Sequence, residues 1–165
     1  MECTVRWMGN DAGMAFVAET GSGHAVVMDG APEAGGRNIG LRPMEMVLAG
    51  TGGCSAFDVV LILKKGRHQV SACDVSLQAE RADSDPKVFT RIHLHYRVKG
   101  KNLKPDAVAR AIELSKEKYC SASIMIGKTA EEIDAQVRER DEARKAKDFA
   151  RSDALRKALG DAGIE

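Results

Sequence analysis

The chain has 165 residues and a formal net charge of +1, enough for one hydrophobic core with a small appendage and without a bulk drive toward nucleic acid or anionic membrane. No apolar run approaches the roughly 20 residues needed to span a bilayer, and MECTVRWMGN at the N-terminus lacks a signal-peptide core, so a soluble cytoplasmic protein is expected. The four cysteines, Cys3, Cys54, Cys73 and Cys120, form no C-x-x-C and no zinc spacing; in a reducing cytosol, a cysteine with a role is expected to be catalytic or redox-active.

In chain order, Cys3–Met8 alternates and reads as a strand, a Gly-rich turn follows, and Met14–Glu19 and His24–Met28 read as two more strands of an antiparallel meander. Asp29–Leu41 is a Gly-rich loop with Arg37 as its one basic residue. Arg42–Arg67 reads as one long buried helix, opened by Pro43 and closed by Lys64 and Lys65, where cations suit the dipole. Gly50, Gly52 and Gly53 inside it each cost up to about 1 kcal/mol relative to Ala, so close backbone approach is expected there. Cys54 follows them directly.

Val70–Arg81 and Val88–Lys99 alternate and pair as a long hairpin across a polar turn at 82–86. Phe89, Arg91, His93, His95 and Arg97 share one face of the second strand. Pro105 opens a helix to about Tyr119, with Val108, Ala111, Ile112 and Ser115 on its inner stripe. Cys120 stands at its end, and Ser121-Ala122-Ser123 can cap a short helix over Ile124–Ile126. From Thr129 the chain turns dense in charge and alanine, and reads as two helices, roughly Ala130–Lys147 and Asp148–Ala162. Composition places a boundary there, giving a domain over 1–129 and a helical appendage over 130–165.

Among the chemistry-bearing residues, Cys54 in the central helix and Cys120 at a helix junction are the pair to examine. Lys118 and a following helix N-terminus could favour a thiolate at Cys120. A thiolate that attacks a peroxide becomes a sulfenic acid, which condenses with a second nearby thiol to a disulfide. The scheme wants a cation beside the first thiol and a carboxylate to hold that cation. Glu45 lies nine residues before Cys54, about two and a half helical turns away, so Arg37 or Arg42 would have to bridge. The bland alternative is that both cysteines simply pack as small apolar groups.

Two motifs carry a resemblance. PMEMVLAGTGGCSAFDVV and, 66 residues on from its cysteine, EKYCSAS resemble the two-cysteine signature of the OsmC/Ohr family. FTRIHLHYRVKG and HAVVMDGAPEAGGRNIGLRPMEM resemble its YhfA-like branch, so the likeness runs from about Cys3 to Thr129. It implies an α+β fold, with antiparallel sheets wrapped around two central helices, built as an intertwined homodimer. It also implies thiol-dependent reduction of organic hydroperoxides or hydrogen peroxide, with Cys54 peroxidatic, Cys120 resolving and an external dithiol reductant, lipoyl-type in some members. No cofactor is implied.

Two departures stand out. Many family members place the activating glutamate directly after the helix-opening proline; here that position is Met44 and the acid is Glu45, a shift of about 100° around the helix. Arg37 is the best positional match for the activating arginine, with Arg6, Arg42 and Arg81 as alternatives. The tail departs altogether: over about 140–165 it resembles the C-terminal helices of bacterial cysteinyl-tRNA synthetases, without any synthetase catalytic motif, and is expected to form a helical hairpin.

The other residues read blandly. His93 and His95 lack a third metal ligand, Cys3 and Cys73 pack as apolar groups, and the glycines at 35, 36 and 40 do not make a phosphate loop. Neither a metal nor a nucleic-acid partner is expected. The rival to the peroxidase is a non-enzymatic protein of the same fold that binds a small ligand or senses redox state; a weaker third reading makes the tail an RNA- or protein-docking hairpin.

Overall fold

A computed structural model describes residues 1–128 and 130. The helices expected at Ala130–Lys147 and Asp148–Ala162, the hairpin they would make and the synthetase-like segment lie outside the described residues. The described chain forms two compact units, divided between Gly50 and Thr51.

The first unit is the expected meander. Strands β1 (Cys3–Trp7), β2 (Ala15–Thr20) and β3 (Ala25–Asp29) pair antiparallel in that order, with Cys3 opposite Thr20 and Ala15 opposite Asp29. The loop after β3 is organised by Asp29, itself buried. Its carboxylate accepts the backbone N–H groups of Gly30 (2.8 Å), Arg37 (2.8 Å) and Ile39 (3.1 Å). The loop passes so close to itself that a Cβ at Gly36 would overlap the Gly30 carbonyl, which restricts this position to glycine.

Helix α1 (Pro43–Lys65) begins in the first unit and continues into the second. Within the second unit its buried positions, Thr51, Ser55, Val59 and Leu63, recur every four residues and form a single stripe. The expectation of one long buried helix is therefore met along one stripe only in the single chain: Phe57 on another face is 67% exposed. The expectation about bilayer-length runs is corrected as well. An 18-residue window of α1 has a mean hydropathy of 1.8 with at most two charged residues, so the helix is long and apolar enough to cross a membrane by length and composition. Ala and Cys hide this because each adds apolar character with little bulk. The core helix of a soluble protein passes the same test.

Strands β4 (Gln69–Arg81) and β5 (Phe89–Lys101) form the long antiparallel hairpin. A register irregularity between Val70 and Ala72 shifts the half-buried positions of β4 from Val70 and Ala72 to Cys73, Val75 and Leu77, as a bulge does. This accounts for the imperfect alternation in that segment. Helix α2 (Pro105–Leu114) packs Ala111 against Val59 and Leu63, with Tyr96 and Val98 of β5 around that core. Of the three glycines in α1, Gly52 has the close neighbour: an added Cβ would lie 2.6 Å from Leu77 Cδ1, whereas Gly50 and Gly53 meet nothing within 4 Å.

The helix expected to run to Tyr119 stops being α-helical at Leu114. Residues Ser115–Tyr119 form a π turn, closed by the Cys120 N–H donating to the Ser115 carbonyl at 2.8 Å. Helix α3 (Ser121–Ile126) then begins three residues earlier than expected, because Cys120 is its cap: the Cys120 Sγ accepts the Ser123 N–H. The result is a mixed α+β fold of antiparallel sheets and helices.

Candidate functional site

Cys54 and Cys120 come together in the second unit, joined by Asp58, which is not among the residues expected there. The sulfurs of Cys54 and Cys120 and a carboxylate oxygen of Asp58 all lie within 4.8 Å of one another. Asp58 follows Cys54 by four residues, so the helix places both on one face, one turn apart. Cys120 arrives from the junction of the π turn with α3.

Three hydroxyls hold that junction beside α1. The Ser55 Oγ is 2.6 Å from the Tyr96 hydroxyl and 2.8 Å from the Ser115 Oγ, and the Ser115 hydroxyl also donates to the Ser55 carbonyl at 3.3 Å. Ser55 and Ser115 are fully buried, so these bonds are made out of competition with water. Ser55 is next to Cys54, and Ser115 begins the turn that Cys120 closes. The network thus ties the two cysteine-bearing segments together through their neighbours. Burial raises the pKa of Tyr96, against the hydrogen bond from Ser55 and with the nearby charges of Cys120, Cys73 and Asp58.

The two thiols differ in surroundings. Cys120 is fully buried, and its sulfur accepts the Ser123 N–H at 3.4 Å and the Ser123 hydroxyl at 3.1 Å. Cys54 is half-buried. The Ala122 N–H favours its thiolate, but the Cys120 thiol, partial burial and the negative charges of Cys120 and Asp58 outweigh that bond and raise its pKa. The expected lowering of the first thiol's pKa is therefore not what its own unit provides. Lys118, a candidate cation near Cys120, sits over the Tyr119 ring, 5.5 Å from the centroid.

Arg37 and Glu45 belong to the first unit, and each has local partners there. The Arg37 side chain donates to the Asp11 carbonyl, and its backbone N–H to Asp29. Glu45 accepts the Arg42 N–H at 2.9 Å and pairs with the Arg42 guanidinium at 3.5 Å. Of the alternative arginines, Arg6 pairs with Glu19, and Arg81 donates to the Lys87 carbonyl. His93 and His95 join no metal-like cluster among the described residues. Asp58 carries a sequence signal, its i+4 spacing from Cys54, downstream of the cysteine rather than upstream where Glu45 lies. Ser115 is indistinguishable by spacing from the other members of the inner stripe of its helix.

Comparison with known proteins follows the same lines. A family model described as OsmC-like protein matches residues 35–148. Protein YhfA of Escherichia coli strain K12 is 48% identical over 131 residues, covering 78% of this chain and 90% of the relative. The crystal structure of a hypothetical protein from Aquifex aeolicus superposes with a TM-score of 0.65 at 32% identity, covering 78% of this chain and 87% of that one. An organic hydroperoxide resistance protein OsmC from Legionella pneumophila shares the fold, with a TM-score of 0.56 at 14% identity over 78% of this chain and 91% of that one.

Proposed function

The chain belongs to the OsmC-like family, and from that premise we propose that it is a thiol-dependent peroxidase reducing organic hydroperoxides or hydrogen peroxide with Cys54 and Cys120. The observation that carries this reading is the convergence of two thiols, 66 positions apart in the sequence, to within 4.8 Å. The likeness in fold to an organic hydroperoxide resistance protein from Legionella pneumophila supports the substrate class.

Cys54 is the attacking thiol, because it is half-buried where Cys120 is fully enclosed. Its thiolate displaces the alkoxide from a hydroperoxide, which takes a proton and leaves as the alcohol; Cys54 becomes a sulfenic acid. The Cys120 sulfur then attacks Cys54, water leaves, and the disulfide forms. An external dithiol, lipoyl-type or other, restores both thiols by exchange. Arg37 and Glu45 are assigned as activators on family resemblance; Arg37→Ala and Glu45→Gln are expected to lower the second-order rate with peroxide at least tenfold. The protein is assigned as a cytoplasmic homodimer, with the exposed apolar face of α1 covered by the partner.

The test is stopped-flow consumption of cumene hydroperoxide and hydrogen peroxide with a dithiol, for wild type, Cys54→Ser and Cys120→Ser, with mass spectrometry of the oxidised protein. Turnover lost in Cys54→Ser and a Cys54–Cys120 disulfide in wild type are expected. A rate equal to that of a free thiol overturns the peroxidase. The raised pKa of Cys54 favours, as a second reading, a slow redox sensor of the same fold, which would form the same disulfide without sustained turnover.

A further inference from the structure

We propose that Cys54, Asp58 and Cys120 are a binding site for a thiophilic divalent cation, zinc in the first place. The proposal rests on their geometry and is independent of the peroxidase reading. Two sulfurs and one carboxylate oxygen face one another within 4.8 Å. Zinc binds sulfur at about 2.3 Å and carboxylate oxygen at about 2.0–2.2 Å, which in a tetrahedron sets ligand atoms roughly 3.5–3.8 Å apart. The three groups therefore need to close by about 1.3 Å at most, within the reach of side-chain rotation.

A second observation at the same carboxylate points to a cation. The Asp58 Oδ2 is buried and makes no hydrogen bond. A carboxylate oxygen enclosed in this way is costly unless something positive meets it. The same carboxyl group has an oxygen within 4.8 Å of two sulfurs, one of which already receives two hydrogen bonds from Ser123. These are the outer contacts that fix a thiolate ligand and spread its charge. Oxygen-seeking cations such as magnesium and calcium suit neither sulfur, whereas zinc takes both ligand types. Three protein ligands leave a fourth tetrahedral position for water or an incoming anion, as in reactive rather than structural zinc sites. The sequence spacing conceals such a site, because two ligands lie one helical turn apart and the third is 62 residues beyond Asp58.

The experiment uses the full chain, reduced and stripped with a chelator, and titrates it with Co²⁺ alone and with Zn²⁺ alone against a chromophoric chelator. One equivalent is expected to bind, with tetrahedral cobalt bands and a thiolate-to-cobalt charge-transfer band that Zn²⁺ abolishes. Cys54→Ser and Cys120→Ser are each expected to halve that band, and Asp58→Asn to keep it while weakening binding at least tenfold. Circular dichroism checks that each variant folds, and the wild-type cobalt spectrum is a test that needs no variant. A wild type with no charge-transfer band overturns the site, and so does a full equivalent still bound in Cys54→Ser/Cys120→Ser. Unchanged affinity in Asp58→Asn removes the third ligand and overturns it as drawn. Because the metal titration contains no peroxide, its failure is separate from failure of the peroxidase.

Discussion

Asp58 stands one turn beyond Cys54 on α1, with its carboxylate within 4.8 Å of both cysteine sulfurs and its Oδ2 buried and unpaired. For a nucleophilic cysteine this neighbour is adverse, because a negative charge disfavours the thiolate. The Cys54 pKa is raised despite the Ala122 N–H, with Asp58 among the causes. A thiol with a raised pKa reacts faster as pH rises, and its half-maximal rate lies above the pH typical of a free cysteine, about 8.5. In metal-free protein, Asp58→Asn is expected to move that midpoint down and to speed alkylation of Cys54 at pH 7.5, because removing a neighbouring negative charge favours the thiolate. Iodoacetamide labelling across pH, followed by peptide mass spectrometry, reads this directly. An unchanged profile would mean that the Asp58 charge does not reach Cys54.

The Ser55–Tyr96–Ser115 network makes a stability prediction. Ser55 bonds both partners, so Ser55→Ala strands the Tyr96 hydroxyl and takes one bond from Ser115 in a buried setting. Leaving buried polar groups unpaired costs about 1–3 kcal/mol. Tyr96→Phe removes one end and leaves Ser55 bonded to Ser115, so its cost is smaller, about 1 kcal/mol. In the double variant the stranded hydroxyl no longer exists, and the combined loss is expected to fall short of the sum by at least about 0.5 kcal/mol. Urea unfolding of the four proteins gives the cycle. Strict additivity would show that the two hydroxyls are not coupled.

Much of this fold was legible in the sequence because its signals are local. Pro43 and Lys64–Lys65 mark the ends of α1, alternation marks β4 and β5, and the two cysteine contexts mark the family. The remainder depended on contacts between distant residues. The π turn at Ser115 leaves no mark in hydrophobic periodicity, since it is defined by one shifted hydrogen bond and by a serine paired with Ser55, 60 positions away. The bulge in β4 appears in the sequence only as a flaw in alternation. Asp58 sat in view at i+4 from Cys54, yet nothing local distinguishes it from a solvated helix carboxylate. Its meaning came from Cys120, which the fold delivers from elsewhere.

Asp29 sets an acid limit on the first unit. The Ile39 N–H contributes most to lowering its pKa, burial opposes this, and the Arg37 and Gly30 N–H groups add to the lowering. A carboxylate with a depressed folded pKa adds stability that is complete above its unfolded value, about 3.9, and is lost as pH falls through the folded value. Wild type is therefore expected to unfold at lower temperature as pH drops below about 4. Asp29→Asn is expected to have a lower Tm than wild type at pH 7, and the gap should close as pH falls. Thermal melts at a series of pH values test it; a constant gap would assign the loss to shape rather than charge.

Phe57 decides what covers the outer face of α1. It is 67% exposed in the middle of a long helix, and Leu61, one turn on, is 37% exposed. Large apolar side chains in such a position usually meet a partner. With a second copy as that partner, Phe57 enters a two-fold interface twice. Burying one such side chain is worth about 1.5–3 kcal/mol, so Phe57→Ala is expected to cost about 3–6 kcal/mol per dimer and to weaken association by roughly 10²- to 10⁴-fold. Phe57→Glu should leave a folded monomer. Sedimentation of wild type and both variants at micromolar concentration measures this, and flotation with phospholipid vesicles tests the competing possibility raised by the length of α1. A dimeric wild type that stays at the bottom of the flotation gradient, with a monomeric Phe57→Glu, assigns the face to the second copy. A monomeric wild type, or one that floats with the vesicles, would assign α1 to another occupant.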